Sequence, residues 1–171
     1  AILPADTDAF RWLNGEGDFL PGVVADVYGP VVVLQCLTAG AARLKPALLD
    51  AIDEVLQPTG VFERSAGSVR REEGLGQEIG VVRGQVPDDE LVVRENGLRF
   101  RVDVRGGQKT GFFVDQRDNR ALVGRLAAGR NVLNAFAYSG AFSVYAGAGG
   151  ARAVRSVESS AAALALAERN W

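Results

Sequence analysis

A chain of 171 residues, 47% hydrophobic and 23% charged with a net charge of −2, has the composition of a folded globular protein, not a disordered or fibrous one. It contains no His and a single Cys, Cys36, which excludes a Ser-His-Asp triad, a Cys-His pair, a His/Cys zinc site and an internal disulfide. No metal is expected. No apolar run approaches the roughly 20 residues of a membrane-spanning helix, and the first residues lack the basic-then-apolar pattern of a signal peptide, so a cytoplasmic protein without a membrane partner is expected. Met is absent, so either an initiator has been removed or the sequence starts inside a longer protein.

In chain order, short apolar runs at 22–26 and 31–37 flank Tyr28-Gly29-Pro30 and predict a hairpin. Leu44, Leu48, Leu49, Ile52, Val55 and Leu56 fall on one helical face, with Pro58 just past the end, and predict a helix over 44–56. A strand is expected at 60–63. The polar, Gly-rich stretch 65–77 reads as a loop. Strands are expected at 79–83 and 90–94, and Asn96-Gly97 is a two-residue hairpin signal. Leu98, Phe100, Val102 and Val104 then alternate with Arg99, Arg101, Asp103 and Arg105, as in a half-buried strand with a basic outer face. After Gly106-Gly107 the pattern changes to helix (115–126), strand (131–134), Ala-rich helix (140–149), strand (153–157) and helix (159–170), with Ser159 or Ser160 as N-cap. That order opens a doubly wound α/β sheet. Two parallel strands do not make a stable sheet covered on both faces, so further strands or a second copy are expected to complete it.

Charge is uneven. Residues 1–63 hold three basic and nine acidic side chains, and residues 64–130 thirteen and ten. Seventeen of the nineteen basic residues are Arg, which suits phosphate and base stacking but also fits a GC-rich genome.

Two segments could carry chemistry. In Asn131-Val132-Leu133-Asn134-Ala135-Phe136-Ala137-Tyr138-Ser139-Gly140-Ala141-Phe142 a strand runs into a tight polar turn and a helix starts at the Gly, which offers backbone N–H groups to a nucleotide-like ligand. Glu158, about twenty residues on at the end of the next strand, is placed to accept ribose hydroxyls. The turn has one Gly where a dinucleotide fingerprint has three, which disfavours an NAD-dependent dehydrogenase. A ligand with ribose but no phosphate, such as S-adenosylmethionine, does not need the others. The bland alternative is an ordinary strand-to-helix loop with a solvated Glu158. In Gly106-Gly107-Gln108-Lys109-Thr110-Gly111-Phe112-Phe113-Val114-Asp115-Gln116-Arg117-Asp118-Asn119-Arg120, the Phe pair could wall an adenine or seal the core, and Lys109 and Arg117 could hold a carboxylate or phosphate. Here the alternative is a linker followed by a helix start capped by Asp115.

The stretch from Gly107 to Arg120 resembles the signature of the RlmI-type 23S rRNA cytosine-C5 methyltransferases. The resemblance continues through Val132 to Ser143 and Ser156-Val157-Glu158-Ser159-Ser160. It reaches back to Leu13-Asn14-Gly15-Glu16-Gly17-Asp18-Phe19-Leu20-Pro21-Gly22, to Glu63-Arg64-Ser65 and to Arg70-Arg71-Glu72-Glu73-Gly74. It implies a mixed α/β and α+β fold: a strand-rich, RNA-facing α+β domain over 1–105, then the first half of a Rossmann-like domain binding S-adenosylmethionine over 106–171. A preceding PUA domain and the later Asp-Pro-Pro and Cys-containing motifs of that family are expected outside this chain. The resemblance also implies that Asn134, Phe136, Tyr138, Ser139 and Gly140 lie beneath the methionine part of the cofactor. Glu158 would bind the ribose, Ser159 would lie beside the adenine, and Phe113, Asp115, Gln116 and Arg117 would close the other side. Arg64, Arg70, Arg71 and Lys109 are the candidates for contact with 23S rRNA. Cytosine-C5 methylation needs a thiolate that adds to C6. Cys36 sits in an apolar strand and does not match the family's catalytic position, so no catalytic residue is assigned and the chain alone is expected to be inactive. A related methyltransferase acting on guanine, and a non-catalytic RNA-binding module working as a homodimer, are the alternatives.

Overall fold

A computed structural model describes residues 3–171 as two compact units built from interleaved segments. One comprises Asp8–Leu91 and Asp103–Gly111. The other comprises Val92–Val102 and Phe112–Trp171, together with the segment ending at Thr7. The sequence predicts one cut, between 105 and 106; the chain instead passes between the units several times.

The first unit is a five-stranded sheet: β1 (Ala9–Asn14), β2 (Val23–Tyr28), β3 (Val31–Cys36), β4 (Gly60–Ser65) and β5 (Glu78–Gly84), in that spatial order. All neighbours are antiparallel except β3 and β4. A parallel pair needs a long crossover, and α1 (Ala39–Leu56) supplies it. The Thr38 Oγ1 caps α1 by accepting the Ala41 N–H at 3.2 Å. Its Leu48, Leu49 and Ile52 are buried with Val32, Leu34, Cys36 and Val61 of the sheet. Each such aliphatic side chain contributes roughly 1.5–3 kcal/mol by leaving water.

Three local outcomes differ from the sequence's predictions. The helix begins five residues before the predicted 44, because its first turn, Ala39-Gly40-Ala41, carries almost no apolar signal. β1 was not predicted at all: it pairs only with β2, and a register shift between Arg11 and Leu13 breaks its alternation. The predicted loop 65–77 contains a short helix, α2 (Ser68–Glu72), fastened by Arg70.

The second unit opens with the hairpin β6 (Leu91–Glu95) and β7 (Leu98–Val102). Asn96 and Gly97 both have positive φ, 49° and 79°, as a tight two-residue turn requires. A 3₁₀ turn (Val114–Gln116) leads into α3 (Arg117–Leu126), followed by β8 (Asn131–Ala135), α4 (Ala141–Ala148), β9 (Ala153–Val157) and α5 (Ala161–Asn170). Asp115 lies inside the 3₁₀ turn and not at a helix cap. Ser160 caps α5 through the Ala163 N–H at 3.3 Å. β8 and β9 are parallel and in register from Asn131/Ala153 to Ala135/Val157. The face bearing Leu133 and Val157 is open, with exposures of 66% and 52%.

The hairpin packs with this unit because its inward face is aromatic. Phe100 lies 5.3 Å from Phe112 and stacks on Tyr145 of α4 at 6.0 Å, centroid to centroid. α3 and α4 cross closely at Gly149, where a Cβ would stand 2.0 Å from the Gly124 carbonyl oxygen.

Candidate functional site

The turn after β8 carries three residues in the left-handed region: Phe136 (φ 57°), Tyr138 (φ 47°) and Gly140 (φ 75°). Gly suits that conformation; aromatic residues adopt it at a cost of about 1–2 kcal/mol each. The surrounding bonds hold it. The Ala137 N–H donates to the Val157 carbonyl at 3.0 Å, and the Gly140 N–H to the Ala137 carbonyl at 2.9 Å. A Cβ on Gly140 would meet that of Ala167 at 2.9 Å, so α5 packs directly on this turn.

Glu158 joins the turn to the end of β9. Its carboxylate accepts the Tyr138 N–H at 2.8 Å, the Ser160 N–H at 2.9 Å and the Ser159 hydroxyl at 3.4 Å. The Ser160 and Tyr138 N–H groups hold its pKa below the usual carboxylate value, so the group stays an anionic acceptor at neutral pH. Phe136, two residues before Tyr138 in the same turn, stands 94% exposed. Asn134 Nδ2 donates to Ser143 of α4 at 2.9 Å, and Ser143 bonds Ser156 of β9 at 2.7 Å.

The second motif reaches the same turn. The Phe113 ring meets Tyr138 edge-on, with centroids 5.4 Å apart. Asp115, Gln116 and Arg117 follow in the 3₁₀ turn and the start of α3, where Gln116 accepts from Asn119 at 2.9 Å and Arg117 pairs with Asp118. All eleven predicted cofactor residues therefore belong to one compact unit. A carboxylate acceptor at a strand end, exposed aromatic surface and a turn with one Gly fit a ribose with a stackable base, and do not form a pyrophosphate cradle. A groove of about 260 Å³ is lined by Gly140, Ser143, Val154, Ser156, Leu164 and Trp171; Glu158 and Tyr138 are not among its lining residues.

The predicted RNA contacts all fall in the other unit. One needs correction. Arg70 is 1% exposed. Its guanidinium donates to the carbonyls of Gly76 (2.7 Å) and Cys36 and to the Glu78 carboxylate (3.2 Å). It fastens α2 to the sheet and has no face for RNA. Arg71 and Lys109 are exposed, Lys109 with φ 50°. Arg64 is half-buried, and its Nη1 is the one buried side-chain nitrogen or oxygen without a hydrogen-bond partner among the described residues. Cys36 is fully buried; burial, with Glu63 beside it, pushes its thiol up to about 11. No group of three or more potential metal ligands occurs among the described residues, and no helix there is long and apolar enough to cross a membrane.

The polar residues that brace the site were not legible beforehand. Arg120 ends the segment 106–120, where its spacing alone does not distinguish a brace from a solvated charge. Glu95 and Asn170 had no motif to mark them.

Comparison with known proteins settles the family. The model of the S-adenosylmethionine-dependent methyltransferases matches residues 82–170, over half of the chain. The chain belongs to the S-adenosylmethionine-dependent methyltransferase family. The match starts before the β6–β7 hairpin, so the hairpin lies within the matched portion. Ribosomal RNA large subunit methyltransferase I of Tolumonas auensis is 45% identical over 95% of this chain and 41% of its own length. The protein of that name from Alteromonas mediterranea is 44% identical over 98% and 42%. The chain thus spans about two fifths of these relatives. A solved structure described as a methyltransferase complexed with SAH superposes with a TM-score of 0.84 at 31% identity, covering 98% of this chain and 42% of that one.

Proposed function

We propose that this methyltransferase chain is part of an S-adenosylmethionine-dependent enzyme that methylates 23S rRNA at cytosine C5, and that the 171 residues alone do not catalyse the transfer. The carrying observation is the Glu158 carboxylate locked to the Tyr138 turn by two backbone N–H bonds. When bound, the cofactor would supply the electrophilic methyl group. This chain's residues would bind and orient it: Glu158 accepting ribose hydroxyls, Ser159 beside the adenine, and Phe136, Tyr138, Ser139 and Gly140 with Asn134 under the amino-acid tail. Phe113, Asp115, Gln116 and Arg117 would close the opposite wall. Arg64, Arg71 and Lys109 would meet RNA on the strand-rich unit. The names of the relatives support ribosomal RNA as substrate. Cys36 supports the absence of catalysis by the chain alone, since a buried thiol with a raised pKa provides no thiolate for attack on a pyrimidine. We place the enzyme in the cytoplasm, and a homodimer through the open sheet is a further arrangement to test.

The test is calorimetric titration of SAM and SAH into the chain and into the product of its complete reading frame, with Glu158→Ala alongside. Binding that weakens in the variant is expected. Methylation of 23S rRNA yielding 5-methylcytidine only with the complete product is the second expected result; a methylated guanine would redirect the target.

A further inference from the structure

Both limbs of the cofactor site are tied to one hairpin that carries none of the assigned ligand residues. On β6, Glu95 has no exposed surface and receives Arg120 in a two-pronged pair, Nε to Oε1 at 2.8 Å and Nη2 to Oε2 at 2.6 Å. The same Nη2 donates to the Phe113 carbonyl at 3.0 Å, and the guanidinium lies 4.6 Å above the Phe112 ring. The Tyr145 hydroxyl donates to Glu95 Oε1 at 3.0 Å and accepts from Asn96 Nδ2 at 3.0 Å. On β7, the Arg101 N–H donates to Asn170 Oδ1 at 2.7 Å, and Asn170 Nδ2 donates to the Ser139 carbonyl at 2.9 Å. Phe113 and Ser139 belong to the two motif loops, and a buried side chain links the backbone carbonyl of each to the hairpin: Arg120 for Phe113 and Asn170 for Ser139.

A buried ion pair is a poor source of net stability, because desolvation offsets most of the attraction, but its fixed two-pronged geometry specifies position. A binding wall held to a fraction of an ångström needs such support behind it. We propose that the β6–β7 hairpin is the positioning frame of the cofactor site, with Glu95 setting Phe113 through Arg120, and Asn170 setting Ser139. This rests on the cofactor reading above. Neither Glu95 nor Asn170 is among the residues assigned to the ligand.

The experiment titrates SAH into the product of the complete reading frame as wild type, Glu95→Gln, Tyr145→Phe, Asn170→Ala and Val93→Ala, with a melting temperature for each. Val93 is fully buried in the same hairpin but lies on neither path, so it controls for loss of packing alone. Glu95→Gln and Asn170→Ala are expected to weaken SAH by about tenfold or more, while Val93→Ala melts earlier yet binds close to wild type. Tyr145→Phe keeps the first arm readable if Glu95→Gln does not fold, and is expected to weaken SAH by a smaller factor. Affinities equal to wild type in the folded variants, or losses that follow melting temperature through Val93→Ala as well, overturn the proposal and leave the cofactor reading standing. A wild-type protein that binds no SAH overturns both.

Discussion

Thr110 donates its hydroxyl to the buried carboxylate of Asp26 at 2.6 Å, across 84 residues of sequence. The Tyr28 hydroxyl lies 2.7 Å from the same Thr110 oxygen, and Arg11 holds Asp26 through Nε at 2.8 Å and Nη2 at 2.9 Å. The Gln108-Lys109-Thr110-Gly111 segment is therefore fastened to β2 by its Thr. Replacing Thr110 by Val keeps the volume and removes two hydrogen bonds, one of them to a charged group, so a loss of about 2–4 kcal/mol is expected; Thr110→Ser should retain most of the stability. Asp26→Asn should cost about 2–4 kcal/mol, short of the full value for a broken buried pair, because the Arg11 side chain is 29% exposed and finds water. Urea unfolding midpoints check this. A Thr110→Val midpoint equal to wild type would remove the network from the account of stability.

Glu158 gives a pH signature. Its folded pKa is depressed by the Ser160 and Tyr138 N–H groups, so its bonds are intact above the ordinary value of 4.5 and are lost as pH falls through the lower folded value. The amide proton shifts of Tyr138 and Ser160 should titrate together with a midpoint below 4.5 and be flat in Glu158→Gln. A shared midpoint at or above 4.5 is the contrary result.

Cys36 should be inert. With the thiol raised from 9.0 to about 11 and no exposed surface, alkylation at pH 8 should proceed only through unfolding and be abolished as a native-state reaction. The linked effect has the opposite sign to that of Glu158. Folding stability from the protonated thiol is fully present below 9.0 and falls as pH rises toward 11. Rapid modification of native protein at pH 8 would place the thiol at the surface.

Arg70 and Arg71 are neighbours with opposite expected behaviour. Arg70→Ala strips a buried guanidinium from two carbonyls and Glu78 and should cost about 2–4 kcal/mol. Arg71→Ala, at an exposed site, should change stability by less than about 0.5 kcal/mol. If the strand-rich unit meets RNA, Arg71→Ala should also reduce the salt dependence of RNA binding by about one phosphate contact. Equal stability losses in the two variants would contradict the burial difference between them.

Much of this was legible in the sequence. A 3.6-residue repeat placed most of α1, because burial on one helical face imposes it without knowledge of partners, and short apolar runs on either side of Tyr28-Gly29-Pro30 placed β2 and β3. Asn96-Gly97 located its hairpin, since few dipeptides tolerate two positive φ values. The strand-to-helix turn and Glu158 were placed together for the same local reason. Tertiary structure decided what depends on distant partners. β1 is a strand because β2 is beside it. Arg70 is structural because Cys36, Gly76 and Glu78 surround its guanidinium, while the adjacent Arg71 faces solvent. The hairpin joins the later unit because Phe100 packs on Phe112 and Tyr145 and Glu95 meets Arg120, 25 residues away. Composition and spacing record which groups a chain carries and what its backbone does locally; whether a charge is solvated, paired or aimed at a ligand is set by residues far away in sequence, and only the folded packing brings those together.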